Sequence, residues 1–173
     1  MPTIMTHAAV PVAGALMLGR GRISTPVLVT GIAFAMLPDA DVIGFGFGIE
    51  YADSWGHRGA THSLAFAAIA ALLATALIRP EKYVIAGLFL FIAMASHGLL
   101  DTLTNGGLGA ALFWPWSDTR HFAPHTPIAV SPIGVANFIS ERGMKVLQSE
   151  AKWIWLPLAL LTVVVVGIRK WRQ

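Results

Sequence analysis

Five apolar runs divide the chain: Ala8–Leu18, Ile23–Leu37, His62–Ile78, Tyr83–Leu100 and Trp153–Ile168. A helix that crosses a bilayer needs about 20 apolar residues, within a range of about 17–25. The third and fourth runs meet that length. The fifth nearly does, with Trp153, Trp155 and Trp171 as interfacial anchors. The first two are shorter, and only Gly19-Arg20-Gly21-Arg22 separates them. They predict a tight hairpin of tilted spans, with a re-entrant hairpin as the alternative. The expected fold class is all-α: an integral membrane helical bundle of about five spans, forming a single domain over 1–173.

Positive charge orients the spans. Arg20 and Arg22 occupy one short turn, Arg79 and Lys82 a second, and Arg169, Lys170 and Arg172 follow the last run. No Lys or Arg precedes the first run, so it does not read as a signal peptide. Five spans with the N-terminus outside would place all three basic segments in the cytoplasm. The longer segments Pro38–Thr61 and Asp101–Lys152 then face the periplasm.

Composition agrees with a membrane protein. Of 173 residues, 55% are apolar and 12% charged, about half the charged fraction of a soluble domain. Mean hydropathy is +0.67. These values exclude disorder, a coiled coil and a collagen-like repeat. The absence of cysteine excludes disulfide scaffolds, thiolate zinc sites and thiol nucleophiles. The formal charge is +3, but no basic patch is interleaved with exposed aromatics, so nucleic acid is not an expected partner.

The second outer segment has features of its own. Leu112-Phe113-Trp114-Pro115-Trp116 suits the headgroup level. Ser131-Pro132 predicts a helix start, followed by Val135, Phe138, Ile139 and Val146 at roughly helical spacing. That helix would lie on the membrane surface or pack over the spans.

The layout places His7, Asp39, Asp41, His57, His62, His97 and Asp101 at outer-facing span ends. Ionisable groups at membrane depth are costly and mark a site by default. His97 and Asp101 are four apart, hence on one helix face. That pair suits a metal ion, or an interhelical clamp. Asp39 and Asp41, two apart, do not share a helix face; in an extended turn both could approach one metal, or one could cap the next segment. His57 and His62 flank Arg58, whose planar fork suits phosphate or anchors a lipid headgroup. Gly59 would allow a tight turn, and Thr61 or Ser63 could cap the third span. His121 and His125 lie on the same side and read as surface residues. No Gly-x-Ser-x-Gly elbow, Walker loop, Rossmann glycine fingerprint or His-Glu-x-x-His is present.

Three segments carry a family resemblance: Leu37-Pro38-Asp39-Ala40-Asp41, Gly56-His57-Arg58-Gly59-Ala60-Thr61-His62-Ser63-Leu64 and Ser96-His97-Gly98-Leu99-Leu100-Asp101. Thr102-Leu103-Thr104-Asn105-Gly106-Gly107 and Leu112-Phe113-Trp114-Pro115 follow in order. Together they resemble the YdjM-like family of inner-membrane metal-dependent hydrolases, over residues 1 to about 120, leaving 121–173 as outer segment and last span. A remoter similarity is to zinc-dependent phospholipase C and the P1-type nucleases. The resemblance implies an enzyme of the inner membrane holding one or two divalent metals, zinc or manganese. It implies His7, Asp39, His62, His97 and Asp101 as ligands. No second His-x-x-x-Glu or His-x-x-x-Asp follows, and His121 and His125 are the candidate replacements.

The expected function is hydrolysis of a phosphoester, lipid or lipid-linked, by metal-activated water, with membrane lipids as partners. Asp41 would bridge metals or act as general base. Arg58 would pair with substrate phosphate, and His57 would orient a ligand or serve the leaving group. Thr61, Ser63 and Thr104 would support them. The rival expectations are a non-catalytic membrane protein with a structural metal site, and a proton-coupled transporter.

Overall fold

The computed structural model describes residues 1–131 and 140–172. Its helices are α1 (Ile4–Leu18), α2 (Thr25–Met36), α3 (Leu64–Ile78), α4 (Tyr83–Thr102), α5 (Glu141–Glu150) and α6 (Leu156–Trp171). A 3-10 helix, Leu37–Phe47, continues α2, and a π-helical turn, Ala151–Trp155, joins α5 to α6 without a break. The described residues contain no strand, only two isolated bridges, Thr104 with Ile128 and Ala110 with His121. The all-α membrane bundle read from the sequence is the observed architecture.

Three helices are long and apolar enough to cross a membrane: Thr25–Phe47, Tyr83–Thr102 and Glu141–Trp171. Helices α1 and α3 are apolar but 15 residues each, about 22 Å long against a hydrocarbon core of about 30 Å. Helix α4 is the central post and packs against α1, α2 and α3. The core between them is built from small residues and a few large ones: Val27, Ala71, Ala86, Phe89 and Leu90 in one cluster, Ala67, Met94 and Ala95 in the other. Small side chains let helix backbones approach where lipid, not water, surrounds the bundle. Helix α6 packs on α1 and exposes Leu160, Val163 and Val164, as a lipid-facing helix does.

Local chemistry sets the helix ends. The third apolar run begins at His62, yet α3 starts two residues later, because the Ser63 hydroxyl accepts the Phe66 N–H at 3.0 Å and caps it. His62 stays in the 3-10 turn Ala60–His62, free of the helix's own packing. The segment read as an extended turn after α2 is instead 3-10 helix. With three residues per turn, Asp39 and Asp41 point about 120° apart, and their surroundings differ accordingly.

The predicted helix start Ser131-Pro132, with Val135, Phe138 and Ile139, falls mostly outside the described residues. Val146 is buried on α5. Ser140 caps α5, its hydroxyl accepting the Gly143 N–H at 3.3 Å.

A candidate metal centre

The N-terminal part of α1, the C-terminal end of α2 with its 3-10 extension, the turn before α3 and the end of α4 meet at one end of the bundle. They carry His7, Asp39, His62 and the pair His97 and Asp101. Gly98 makes the meeting close: a Cβ there would lie 2.3 Å from the His62 carbonyl oxygen, so only glycine lets α4 pass against that turn. Gly59 plays the same part within the turn, where a Cβ would lie 2.2 Å from the Ser54 carbonyl oxygen.

Asp39, His62, His97 and Asp101 each offer one ligand atom within 4.8 Å of the others, and all four residues are buried. His97 Nε2 lies 3.3 Å from Asp39 Oδ1, and His62 Nε2 lies 3.7 Å from the same oxygen and 3.5 Å from Asp101 Oδ2. Two donors bound tetrahedrally to one ion at about 2.1 Å are about 3.4 Å apart. These three pairs thus have nearly the mutual spacing of a coordination shell. His62 Nε2, His97 Nε2, both carboxylate oxygens of Asp39 and Asp101 Oδ1 are buried without a hydrogen-bond partner, while Asp101 Oδ2 is ion-paired to Arg58. Such groups are costly unless something satisfies them.

The far side of each imidazole explains the orientation. His97 Nδ1 lies 2.8 Å from the Ala35 carbonyl oxygen. A carbonyl only accepts, so Nδ1 carries the proton and Nε2 keeps its lone pair toward the cluster. His62 Nδ1 faces Thr61 Oγ1 at 3.0 Å and Asp41 Oδ2 at 3.3 Å. The Thr61 hydroxyl is spent on Asp41 Oδ2 at 2.9 Å, so His62 also presents a bare Nε2 inward. Backbone carbonyls and carboxylates behind ligand histidines fix the tautomer in this way in metal sites.

A second group, Asp41, His57 and His62, also lies within ligand reach, but its atoms satisfy one another. His57 Nδ1 donates to Asp41 Oδ1 at 2.7 Å, and the Arg58 backbone N–H donates to Asp41 Oδ2 at 3.1 Å. Asp41 therefore gathers donors from 57–62 and supports the shell from behind.

Arg58 is 1% exposed and its backbone is left-handed at φ 64°, a conformation costly for a residue with a side chain. The strain aims the guanidinium inward. Its Nε lies 2.9 Å from Asp101 Oδ2, Nη1 donates to the Gly106 carbonyl at 2.9 Å, and Nη2 donates to Thr104 Oγ1 at 3.1 Å. Thr104 Oγ1 in turn donates to the Asp101 carbonyl at 2.8 Å. All three guanidinium nitrogens face partners inside the chain. Outside the cluster, burial holds the Arg120 guanidinium below its ordinary value; it donates to the His57, Tyr51 and Asp53 carbonyls.

His7 is fully buried, stacks on His97 with ring centres 3.7 Å apart, and places Nε2 3.8 Å from Asp101 Oδ1. Neither of its ring nitrogens has a hydrogen bond. His121 packs edge-on against Phe113 and His125 against Trp153, and neither belongs to the two ligand groups.

Sequence reasoning missed Glu150. It is 0% exposed and its carboxylate accepts from the Thr3 N–H, the Thr3 hydroxyl and the Thr6 hydroxyl, each at 2.6 Å. Trp155 Nε1 donates to Thr6 Oγ1 at 2.7 Å. This network fixes the start of α1, one turn before His7. Its one sequence signal was a lone carboxylate abutting the last apolar run.

Imidazoles that ligate a metal are neutral, so with an ion bound the three carboxylates Asp39, Asp41 and Asp101 would stand against one guanidinium, Arg58, with two negative charges over. One divalent cation balances that charge. The molecule is thus a helical membrane protein with a buried His/Asp group able to hold a metal ion. The chain belongs to the YdjM inner membrane protein family, whose sequence model matches residues 1–173. It is 45% identical over 178 residues to inner membrane protein YbcI of Escherichia coli (strain K12), an alignment covering 100% of this chain and 99% of that relative. No solved structure matches.

Asp41→Asn tests the support given from behind. It keeps the shape but removes the charge that His57 and His62 hydrogen-bond. Changes behind a ligand histidine cost about 10–100-fold in metal affinity. That loss is expected in a chelator-competition titration, with the fold retained by circular dichroism.

Proposed function

We propose that this chain is a membrane-bound metal-dependent hydrolase acting on a phosphoester of a lipid or lipid-linked compound. The observation that carries the reading is the convergence of unpartnered donors from Asp39, His62, His97 and Asp101. Their imidazole and carboxylate chemistry suits zinc, with manganese the alternative. A bound divalent ion would supply acidified water and offset the charge of a phosphoryl group.

The chain's own residues have separable parts in this reading. His62 and His97 each hold a neutral ring with Nε2 inward, through Asp41 and the Ala35 carbonyl. Asp39 and Asp101 supply the negative charge, and His7, outside that group of four but stacked on His97 with Nε2 3.8 Å from Asp101 Oδ1, would be the fifth ligand. Arg58 is a positioning residue: it holds Asp101 in place. That role replaces the expected pairing with substrate phosphate, because its guanidinium faces inward. Asp41 and His57 likewise act through His62. The exposed aromatic residues Phe47, Phe113 and Trp116 would lie at headgroup level, in this reading that of the outer leaflet, and admit a lipid substrate from the side.

Burial favours a second reading, a closed structural metal site. The side chains of His62 and Asp101 are 0% exposed and that of Asp39 is 10%, and structural sites are closed where catalytic ones keep an open position. One experiment separates the two. Detergent-purified protein is assayed for metal by mass spectrometry and for hydrolysis of bis(p-nitrophenyl) phosphate and a short-chain phospholipid. One or more equivalents of zinc or manganese, with turnover abolished by chelation and restored by the ion, is the expected result. Metal without turnover, and unfolding on chelation, would establish the structural site instead. No metal after incubation with these ions would overturn both.

A further inference from the structure

At the opposite end of the bundle the turn between α1 and α2 meets the turn between α3 and α4. Between them lies a cavity of about 440 Å³. Its rim carries Arg22, Arg79 and Lys82 against a single acid, Glu81, and its floor is Val27, Ile78 and Ala86. Lys82 Nζ donates to the Gly21 carbonyl and ties the two turns together. The Arg22 and Arg79 side chains have no hydrogen bond or ion pair among the described residues. Two free guanidinium groups thus border a cavity with an apolar floor at the end of apolar helices.

Arg79 carries a second observation. It ends α3 in the left-handed conformation, at φ 50°. Glycine is the usual residue at such a helix end, since a Cβ is penalised there. The arginine brings local strain and places its side chain on the cavity rim.

We infer that this cavity binds the headgroup of an anionic phospholipid, with Arg22 and Arg79 on the phosphodiester and the apolar floor against the start of an acyl chain. Guanidinium forks match phosphate oxygens in pairs, and basic pockets between membrane helices take such headgroups. A free phosphate shares the headgroup chemistry but makes no use of the floor, which favours the lipid. The two sites are independent, since the His/Asp cluster lies at the other end of the same helices.

The test is native mass spectrometry of the full chain in detergent with dihexanoyl phosphatidylglycerol, dihexanoyl phosphatidylcholine or inorganic phosphate. Phosphatidylglycerol is expected to bind at least about tenfold more tightly than phosphatidylcholine. Each basic contact near a membrane surface contributes about fivefold. Arg79→Gly should lower phosphatidylglycerol affinity about fivefold, and Arg22→Gln with Arg79→Gln about 25-fold. Arg142→Gln, on α5, should change nothing. Lipid-free thermal stability of Arg79→Gly should hold or rise, because glycine relieves the strained helix end. Equal binding of the two lipids, unchanged affinity in the double variant, or a fall in Arg79→Gly stability would overturn the inference. Displacement of the lipid by equimolar phosphate would overturn it in favour of a free-phosphate site.

Discussion

Removing one inward-facing donor should empty the metal centre without unfolding the bundle. Apparent binding free energies of about 10–16 kcal/mol for four-ligand zinc sites amount to about 2.5–4 kcal/mol per donor. That corresponds to a loss of two to three powers of ten in affinity. His97→Ala and Asp39→Asn are the informative pair. His97 Nε2 and Asp39 Oδ1 are 3.3 Å apart, and each is buried without a hydrogen bond. Asp39→Asn keeps the side-chain shape and removes one of the two uncompensated negative charges, so its cost should fall on the ion rather than on packing. His97→Ala also frees the Ala35 carbonyl and leaves a void beside His7. Metal per chain, measured by mass spectrometry after dialysis, should fall from at least one equivalent to near zero in both. Helical content should remain in Asp39→Asn. Retention of a full equivalent in both would remove these residues from the coordination shell.

Glu150→Ala should be the most destabilising single change outside the metal centre. The carboxylate accepts three hydrogen bonds of 2.6 Å at the start of α1, where Thr3 makes no side-chain cap bond of its own. The first N–H groups of a helix have no partner within it, and an anion there also meets the positive end of the helix dipole. Alanine would leave the Thr3 N–H and two hydroxyls unsatisfied in a buried site. Breaking a buried charged network of this kind costs about 3–5 kcal/mol. A drop in thermal midpoint of several degrees is expected. Glu150→Gln should cost less, because the hydroxyls of Thr3 and Thr6 can reverse to accept from its amide while one carbonyl oxygen remains. Since Glu150 fixes the helix that carries His7, metal affinity should fall with stability in Glu150→Ala. A midpoint within a degree of wild type would show that the network contributes nothing to the fold.

The two changes differ in how far the sequence reveals them. His97 and Asp101 were readable, because a spacing of four on a helix puts both side chains on one face whatever surrounds it. His62 and Asp39 were readable as ionisable residues at the ends of apolar runs, where their desolvation cost makes them conspicuous. Glu150 was not. It sits in a polar stretch, where a carboxylate is ordinary, and its three donors come from residues 144 and 147 positions away. The inward contacts of Arg58 were hidden for a related reason. An arginine between two histidines reads as a group aimed at an external anion, and only its left-handed backbone turns it onto Asp101.

By itself the sequence determined the helical membrane bundle, since continuous apolar runs admit few other structures in lipid. It also determined which residue types gather at one end of the helices, because successive apolar runs joined by short turns run antiparallel and those residues sit at alternate run ends. Tertiary structure alone decided how that end is divided. The 3-10 continuation of α2 turns Asp39 toward His62 and His97 and sends Asp41 behind them. Gly98 lets α4 approach the His62 turn closely enough to complete the group. Those outcomes depend on distances of a few ångströms between segments far apart in the chain, and periodicity encodes direction along one element but not its distance to another.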